Sequence, residues 1–593
     1  MQLHTLLCLC FLSFFLTPLF QSQPHHFKPS QNTPHNEHIE VTYPPPSHQP
    51  TPSCTHQILH HTFTNTIDTS PYSTPYYPPL NCPPPWSRVT LHLKAKSKCQ
   101  QYDRIAAVWL GGVEILRTST PRPSNSKVFW NVRKDITKYT SLLTKSYLDL
   151  TMMMENSVDT ELTGLYHVTV TFLFYNQNAI RVPFSPNSLS ISSNSNSKSS
   201  SRFLMNELEV PYFRGLNESS PADLIIPIID DGERGFWFRI EEENDLKKRR
   251  IRIPRNSYKA VLELCVSFHG NDEFWYSNPP NSYIKTNDLA TGRGNGAFRE
   301  VYVTIDGEVV GSEIPFPVVF TGGINPLFWE PIVAIGAFNL PSYDFELTPF
   351  LGKVLDGKEH VFGIGVIKGI SFWLVNANLH LWLDHESSVV HASRVVRHSP
   401  KTNVDWTEGF AGLDGEFQVE AEKNTMVEGW VLSSSGNVST VITKAFSFRN
   451  FIKFHNNGTY KMVKQRFKGK KKVRVTDNRG EMVSKLKVKR MYPLRVITLI
   501  EPFGLNDRYK LFTNFSHAFK EKYEGSCLIN SISNVQESKG WIDVMGHSVL
   551  SGHASTKQNY SYADKFSCYN RNVLANNGRI VIDNSTFVCE NAL

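Results

Sequence analysis

Runs in which apolar and polar residues alternate recur along most of the 593-residue chain. Residues 89–95, 166–174 and 379–383 alternate in this way or are rich in β-branched and aromatic side chains, and clusters of Pro, Gly and Asn separate such runs. A period of two residues is typical of strands that bury one face. Because helical periodicity is scarce, the pattern predicts an all-β protein.

The clearest turn signal is the dipeptide Asp306-Gly307, which stands between the strand-like residues 301–305 and 308–310. Asp-Gly readily adopts the positive φ angles of a type I′ turn. We therefore predict a tight β-hairpin centred on these two residues.

The chain is too long for one hydrophobic core, and domains of about 100–200 residues predict three or four units. A tract of Ser, Asn and Lys at residues 187–201 is too polar to pack, which predicts a mobile linker or processing site. It separates two similar halves, because residues 135–139 in the first are echoed by residues 346–350 in the second. The predicted divisions are a signal peptide (1–22), a disordered Pro/His-rich segment (23–38), a first β domain (39–186), the tract (187–201), a second β domain (202–385) and a C-terminal β-rich domain (386–593).

Residues 6–20 form an apolar run followed by polar residues, which predicts a secretory leader although no Lys or Arg precedes the run. No later segment has the ~18 uninterrupted apolar residues of a spanning helix. We therefore expect a soluble mature protein without a membrane partner, located in the secretory pathway and then outside the cell, in the cell wall or in the vacuole.

A secretory route favours disulfides, and removal of the leader leaves seven cysteines, so one thiol stays unpaired. Cys54, Cys82 and Cys99 are expected to crosslink the first domain, and the last three cysteines the C-terminal domain. Cys265 lies in an apolar run and is expected to be a buried thiol. Six Asn-x-Ser/Thr sequons predict N-glycosylation at Asn217, Asn437, Asn457, Asn514, Asn559 and Asn584.

The formal net charge of +8 comes partly from residues 468–474 and 485–490. Their lysines alternate with other residues, which places them on one face of a strand. A solvated surface is the interpretation we favour, and attraction to an acidic polymer is the alternative. A nucleic-acid partner is not expected, because the chain carries no known binding motif.

Longer motifs resemble a known family. The segment 99–110, in which Asp103 stands between Tyr102 and Arg104, resembles the Cys-x-x-Trp-Asp-Arg segment of bacterial peptide N-glycosidase F. Further stretches resemble the plant and fungal peptide N-glycosidase A family, namely residues 109–115, 134–137, 325–331 and 343–350.

This resemblance implies two adjacent jelly-roll β-sandwiches with an active cleft between them over residues 80–385. Residues from 386 onward match the plant-type family alone, which implies a further β domain. In that family the precursor is cut into two chains. The resemblance therefore implies cleavage within residues 187–201 and continued association of the two fragments.

Hydrolysis of an amide needs a positioned water, a group that activates it and a proton for the departing nitrogen. Two carboxylates in unlike surroundings can divide these tasks. Asp103 is the predicted catalytic residue, because the resemblance aligns it with the primary catalytic Asp of the bacterial enzyme. The alternative is an Asp-Arg pair at a strand edge.

The second carboxylate has two candidates. Glu273 lies near Trp275 and resembles the bacterial catalytic Glu, which is adjacent to Trp, but one residue intervenes here. Glu300 follows Arg299 in a Phe-Arg-Glu sequence that an insertion could align instead. We favour Glu273, and structural loop acids are the remaining alternative.

Several polar or aromatic residues near these carboxylates are predicted substrate contacts. Glu155 and Asn156 close a strand and resemble a position where the bacterial enzyme holds the chitobiose core, although its Trp is absent here; a surface strand end is the alternative. The complete set of predicted contacts is Arg104, Glu155, Asn156, His269, Asp272, Trp275, Arg299 and Glu330.

Other motifs do not indicate a cofactor. The glycine-rich residues 292–296 precede no helical pattern and are interpreted as a flexible loop rather than a phosphate site. The His pairs lack a second ligand pair at metal spacing, and no motif marks a nucleophilic serine or cysteine. We expect neither a metal nor a cofactor.

The resemblance and the two carboxylates predict a glycoamidase that acts on N-glycopeptides or denatured glycoproteins, converts Asn to Asp and releases a glycosylamine. One alternative is a non-catalytic glycan-binding protein built on the same sandwiches. The other is an endoglycosidase that cleaves between the two core sugars.

Overall fold

The structure is a computed structural model that describes residues 37–42, 51–123, 127–176, 220–502, 508–526, 529–546, 548–564 and 568–587. The predicted leader, most of the Pro/His-rich segment, the tract 187–201 and the sequon at Asn217 lie outside these ranges. No helix in the described ranges has the length and apolar character needed to cross a bilayer.

Strands dominate the described residues, which confirms the all-β prediction. In chain order they are β1 (Glu37–His38), β2 (Cys54–Phe63), β3 (Tyr72–Tyr76), β4 (Arg88–Lys98), β5 (Ile105–Leu110), β6 (Val113–Ser119), β7 (Val128–Asp135), β8 (Leu148–Met154), β9 (Leu165–Tyr175), β10 (Leu224–Ile228), β11 (Phe238–Glu242), β12 (Lys247–Arg252), β13 (Ser257–Phe268), β14 (Glu300–Ile305), β15 (Glu308–Glu313), β16 (Ser342–Glu346), β17 (Glu359–Ile367), β18 (Ile370–Leu383), β19 (His391–His398), β20 (Asn403–Ala411), β21 (Asp414–Ser433), β22 (Gly436–His455), β23 (Tyr460–Asp477), β24 (Met482–Pro502), β25 (Arg508–Gly525), β26 (Ile529–Met545), β27 (Ser548–Asp564), β28 (Cys568–Asn576) and β29 (Arg579–Thr586). The α-helices are α1 (Thr140–Leu143), α2 (Asn281–Thr286) and α3 (Leu351–Val354), and short 3₁₀ turns span Thr137–Tyr139, Gly270–Asp272, Trp275–Ser277, Pro326–Trp329 and Thr348–Phe350.

The first sandwich combines a five-stranded sheet in the order β1-β7-β4-β9-β2 with a four-stranded sheet in the order β3-β8-β5-β6. The alternation of apolar and polar residues along β4 and β9 explains why the two sheets pack face to face. The apolar residues of these strands are buried, while Lys94, Lys96 and Lys98 point outward. A disulfide joins Cys54 to Cys82, and Cys99 is a free thiol.

The second sandwich combines a sheet in the order β10-β18-β13-β16, with β11 also paired to β18, and a sheet in the order β12-β17-β14-β15. Asp306 and Gly307 both have positive φ angles at the turn between β14 and β15, which confirms the predicted hairpin. Cys265 is a buried free thiol on β13, as predicted.

The two sequence echoes form the same local structure. In the first sandwich β7 ends at Asp135, whose carboxylate accepts the Thr137 amide hydrogen at 2.9 Å before a 3₁₀ turn and α1. In the second, β16 ends at Glu346, whose carboxylate accepts the Thr348 amide hydrogen at 3.2 Å before a 3₁₀ turn and α3. The side-chain acceptor stops the strand and starts the turn in both halves.

The C-terminal residues form one antiparallel sheet, in which β19 and β21 to β29 follow one another and β20 also pairs with β21. Several of its strands are 17 to 21 residues long. One face carries buried apolar residues such as Val463 and Phe467 and packs against the second sandwich, where Phe316 contacts Tyr492 with ring centroids 5.2 Å apart. The opposite face is exposed.

A buried polar network joins the two sandwiches. Arg117 on β6 donates to both carboxylate oxygens of Glu114, at 2.9 and 2.8 Å. The same guanidinium donates to the Leu374 carbonyl at 2.6 Å on β18 of the second sandwich, and the Asn376 amide donates to Glu114 at 2.8 Å. Both charged side chains are at most 2% exposed.

Glu263 on β13 forms the second part of this network. Burial favours its neutral form, but Lys138 of the first sandwich, at 2.7 Å, holds the pKa of Glu263 well below its usual range. The Tyr139 hydroxyl donates to the same carboxylate at 2.8 Å. These bonds fix the register between the sandwiches, because the buried Glu263 charge needs Lys138 and Tyr139 across the interface.

We predict that Glu114→Ala destabilises the protein by about 3–5 kcal/mol, because it leaves the Arg117 guanidinium buried without its carboxylate. The melting temperature should fall, whereas the double substitution Glu114→Leu with Arg117→Met should lose less. Glu416→Ala, which removes the exposed partner of Lys453, is the control and should change the melting temperature far less, because solvent screens an exposed ion pair. A Glu114→Ala protein that melts like the control would contradict the assigned role.

Candidate active site

Asp103 lies in the loop between β4 and β5, directly before the strand, as the sequence predicts. Gln101 organises this loop, because its side-chain carbonyl accepts the Tyr102 amide hydrogen at 2.9 Å and the Arg104 guanidinium at 2.7 Å. Its side-chain NH₂ group donates to the Ser157 carbonyl at 2.8 Å. Gln101 is completely buried. Its hydrogen bonds to Tyr102 and Arg104, which flank Asp103, therefore fix the position of Asp103 in the loop.

A loop of the second sandwich reaches Asp103. The backbone N–H of Gly322 donates to the Asp103 carboxylate. A Cβ at Gly322 would lie 2.3 Å from Asp103 Oδ1, so only glycine permits this approach. The neighbouring Thr321 hydroxyl donates to the Thr120 carbonyl at 2.9 Å and fastens the loop to the first sandwich.

Glu273 lies between two 3₁₀ turns in the loop that follows β13. A buried ion pair supports this loop: Arg299 donates to Asp272 through two nitrogens, at 2.8 and 2.7 Å. The Trp373 indole donates to the same carboxylate at 2.6 Å, and the Ile370 amide does so at 2.9 Å. Asp272 and Arg299, predicted as substrate contacts, are thus completely buried and used in positioning the Glu273 loop.

The structure brings Asp103 and Glu273 together, one from each sandwich. Burial raises the pKa of Glu273 to about 8, the charge of Asp103 adds to this effect, and the Arg293 guanidinium opposes it. Burial also raises the pKa of Asp103, but the Gly322 N–H and the guanidinium groups of Arg122 and Arg104 favour its charged form. A proton shared by the two therefore resides preferentially on Glu273, since Asp103 has the better support for its negative charge.

Arginines that act on Asp103 link it to two other predicted residues, Glu155 and Glu330. Arg104 acts electrostatically on both Asp103 and Glu155, and burial raises the pKa of Glu155. Burial raises the pKa of Glu330 as well. The Arg122 guanidinium opposes this effect and also acts electrostatically on Asp103.

An aromatic stack flanks Glu155. His269 is stacked between Phe320 and Phe372, with centroid separations of 5.3 and 5.1 Å, and Arg239 covers the Phe372 ring at 3.4 Å. Arg239 also acts electrostatically on Glu155. Burial, with Arg117 and Arg239, lowers the pKa of His269 to about 3, so its ring is neutral near pH 7 and suits a stacking contact rather than proton transfer.

Two other predicted substrate contacts, Trp275 and Asn156, are buried in the structure. Trp275 is 0% exposed and packs against Phe268 and Phe448, so it is a core residue here and not an open sugar platform. Asn156 is also completely buried and donates to the Gly164 carbonyl at 3.1 Å.

Glu300, the rival second carboxylate, is engaged with the C-terminal sheet. Lys423 lies 2.9 Å from one of its oxygens, and the Thr402 hydroxyl donates to the other at 2.6 Å. The Glu300 side chain is completely buried. These bonds give it a structural partner, and a catalytic role for it stays an untested prediction.

Arg293 is a residue near Glu273 that sequence reasoning missed. It lies in the glycine-rich residues 292–296, interpreted as a flexible loop, yet the loop is tightly packed. A Cβ at Gly294 would lie 2.0 Å from Asn281, and one at Gly296 would lie 2.3 Å from Trp406. The glycines are therefore explained by close approach, which the spacing of the motif alone did not reveal.

The C-terminal sheet supports both loops of the second sandwich from behind. The Asn450 side chain donates to the Tyr276 carbonyl at 2.8 Å, near Glu273. Phe515 packs edge-on against Trp329, whose indole donates to the Gly323 carbonyl at 2.8 Å beside Gly322. Among the described residues no group of His, Cys, Asp or Glu has the arrangement of a metal site.

Comparison with known proteins identifies two family regions. Residues 41–400 match the family described as peptide N-acetyl-beta-D-glucosaminyl asparaginase amidase A, and residues 416–494 match the PNGase A C-terminal domain. The curated peptide-N4-(N-acetyl-beta-glucosaminyl)asparagine amidase A of Prunus dulcis is 40% identical over 562 residues, which cover 94% of this chain and 93% of the relative.

Solved structures show a more distant likeness. Recombinant peptide N-glycanase F is 13% identical with a TM-score of 0.32, over 56% of this chain and 96% of that one. PNGF-II is 10% identical with a TM-score of 0.33, over 56% of this chain and 66% of that one.

The raised pKa of Glu273 predicts a pH-dependent stability. The folded protein holds this proton up to about pH 8, whereas the unfolded chain releases it near the ordinary glutamate pKa of 4.5. The proton therefore stabilises the fold below about pH 4.5, and that contribution is lost as the pH rises to about 8, at up to about 1.4 kcal/mol per pH unit. The melting temperature of Glu273→Gln relative to wild type should rise over this window and level off above it.

Two controls accompany this measurement. Glu242→Gln, at an exposed position, should show no such trend. Asp103→Asn should move the upper end of the window to lower pH, because it removes the neighbouring charge. If Asp103→Asn leaves the window unchanged, the two carboxyl groups do not interact.

Proposed function

The chain belongs to the peptide N-glycosidase A family, and we propose that it hydrolyses the amide bond between asparagine and the first N-acetylglucosamine of N-glycopeptides with Asp103 and Glu273. The observation that carries this assignment is the juxtaposition of two buried carboxyl groups, of which Asp103 has the stronger support for its charged form and Glu273 the stronger preference for its proton. Such a pair supplies a base and an acid at one pH.

In the proposed reaction Asp103 takes a proton from a water whose oxygen attacks the side-chain carbonyl carbon of asparagine. Glu273 gives its proton to the amide nitrogen as the carbon–nitrogen bond breaks. The products are aspartate on the peptide and a glycosylamine. Water then converts the glycosylamine to a reducing sugar and ammonia without the enzyme.

The arginines around the pair support this division of labour. Arg104 and Arg122 stabilise the charge of Asp103 before the reaction, and Arg293 faces Glu273, where negative charge develops after proton donation. These cations are held by the fold and need no reorganisation during the reaction.

We assign the recognition of the core sugars to Glu155 and the neighbouring stack. The carboxylate of Glu155 can accept bonds from two sugar hydroxyls. The faces of the His269 and Phe372 rings are covered by Phe320, by each other and by Arg239, so the edges of these rings are the parts that can contact a sugar.

The processing of the chain is a separate part of the proposal. A cut within residues 187–201 would leave the pieces associated, because the Glu114 and Glu263 networks join residues from both sides of that tract. The disulfide between Cys54 and Cys82 supports a secretory route. Protein from its native source should give two bands on a reducing gel and one species in size-exclusion chromatography, and a single uncut chain would contradict the proposal.

Product analysis tests the reaction class. Mass spectrometry of a digested N-glycopeptide in H₂¹⁸O should show an aspartate that carries one ¹⁸O, together with the intact released glycan. An endoglycosidase would instead leave N-acetylglucosamine on the peptide, and a glycan-binding protein would leave the glycopeptide unchanged. Either result would overturn the proposed function.

Single carboxyl substitutions test the assigned roles. Asp103→Asn and Glu273→Gln should each lower kcat at least ~10²-fold while binding of the glycopeptide persists, because each removes a group that transfers a proton. Glu155→Gln should mainly raise KM. Glu300→Gln should reduce thermal stability more than kcat, since its partners are Lys423 and Thr402.

These outcomes are compared in folded proteins with matched melting curves. More than a tenth of wild-type activity in Asp103→Asn would remove Asp103 from the mechanism. A larger kcat loss in Glu300→Gln than in Glu273→Gln would transfer the role of acid to Glu300.

A further inference from the structure

The exposed face of the C-terminal sheet carries a continuous row of cations. On β23 the outward residues alternate from Lys464 to Arg474, and on the adjacent β24 the register places Lys489, Lys487 and Lys485 directly opposite Lys470, Lys472 and Arg474. Directly paired residues of antiparallel strands project from the same face. We name this set the basic stripe: Lys464, Arg466, Lys468, Lys470, Lys472, Arg474, Lys485, Lys487, Lys489 and Arg495.

The stripe is long and regular. Alternate residues of a strand are about 6.8 Å apart, so the six cations of β23 extend over roughly 34 Å, and β24 adds a second row about 4.8 Å away. Most of these side chains are exposed. A shallow depression of about 220 Å³ lies among Lys470, Lys472, Arg474, Lys485 and Lys487.

Few carboxylates neutralise this surface. On β25, next to β24, Lys520, Lys522 and Glu524 face the stripe, and Glu524 pairs with Lys487 at 2.5 Å. On the other side β22 separates the stripe from the acidic residues of β21, of which Glu420 pairs with Arg449. The ten cations of the stripe exceed the formal net charge of +8 for the whole chain.

Packing does not require these charges. The inward residues of the same two strands, including Val463, Phe467 and Tyr492, form the core against the second sandwich. Like charges placed opposite each other on paired strands destabilise a sheet. A double row of cations therefore has an unfavourable effect on the free protein, which a polyanion would relieve.

We propose that the basic stripe binds a linear acidic polysaccharide, carboxylated or sulfated, which lies along the strands. This interaction goes beyond the hydrolytic reaction and does not depend on it. An extended polymer with regularly spaced anions matches two straight rows of cations.

The chemistry of the stripe favours this partner over other polyanions. In the fully described stretch from Lys464 to Arg474 and its partner residues 485–495, no outward side chain is aromatic, although single-stranded nucleic acids are bound by base stacking. The outward apolar residues there are Met491 and Pro493, too few for an interfacial membrane site.

The stripe is also free of predicted glycans. Asn437, Asn457, Asn514 and Asn584 are exposed on other parts of this sheet or its turns, and Asn559 is half-buried on β27. None of the six sequons falls on β23 or β24. Asn514 lies on the adjacent β25 opposite Ile497 and borders the Arg495 end of the stripe, whereas the rows from Lys468 to Arg474 and from Lys485 to Lys489 carry no sequon.

The test compares two triple variants of the full-length protein. The stripe variant carries Lys468→Gln, Lys470→Gln and Lys472→Gln. The control carries Lys94→Gln, Lys96→Gln and Lys98→Gln, three outward lysines with the same spacing on β4. Both lose the same charge and should keep wild-type glycopeptide hydrolysis, and the stripe variant should melt no lower than wild type, because it loses repulsion between paired lysines.

Affinity is measured for polygalacturonate and heparin over a range of salt concentrations. The stripe variant should bind one or both at least tenfold more weakly than wild type and show a smaller salt dependence, whereas the control should change less than twofold. The salt dependence falls because fewer cations on the protein then displace counterions from the polymer. Neutral dextran should not bind any of the proteins.

Three outcomes would overturn the proposal. Equal losses in both triple variants would show that net charge alone causes binding. Absence of binding to both acidic polysaccharides would remove the partner. Tighter binding to single-stranded DNA, duplex DNA or vesicles of phosphatidylserine and phosphatidylcholine would assign the stripe to another class of polyanion.

Discussion

The candidate site depends on the relative position, or register, of the two sandwiches, because Asp103 comes from the first sandwich and Glu273 from the second. That register is set by Glu114 and Arg117, which pair with each other on β6 and bond to Asn376 and the Leu374 carbonyl across the interface, and by Glu263, which pairs with Lys138 across it. A buried polar interface contributes little net stability compared with an apolar one, but it penalises every misaligned packing strongly. Such specificity suits a site whose two carboxyl groups must stay within reach of one small bond.

More of the fold than of the candidate site could be predicted from the sequence. Alternation of period two and the Asp306-Gly307 turn depend on neighbouring residues, so the sequence predicts them directly, and the echo of residues 135–139 in residues 346–350 reports a real local repeat. The tight packing of the glycine-rich loop could not be predicted, because the side chains that surround Gly294 and Gly296 come from outside the loop itself.

The choice between Glu273 and Glu300 shows the same limit at the site. Both glutamates follow plausible motifs, and local sequence does not say which elements pack against each. Glu300 faces Lys423, more than a hundred residues away, whereas Glu273 faces Asp103 from the other sandwich. Its position near Glu273 predicts a substrate contact for Trp275, yet this side chain packs against Phe268 and against Phe448 of the C-terminal sheet.

The two faces of the C-terminal sheet thus place different constraints on its sequence. Its inward face supplies Asn450 and Phe515, which support the loops that carry Glu273 and Gly322. The two sandwiches alone would leave Trp275 and Trp329 uncovered, and the loops would lose their fixed positions. Because the inward face meets this need, the outward face of β23 and β24 is under no packing constraint that explains its cations. Their regular spacing follows from the two-residue period of the strands, but the concentration of like charge does not, and the proposed polyanion would account for it.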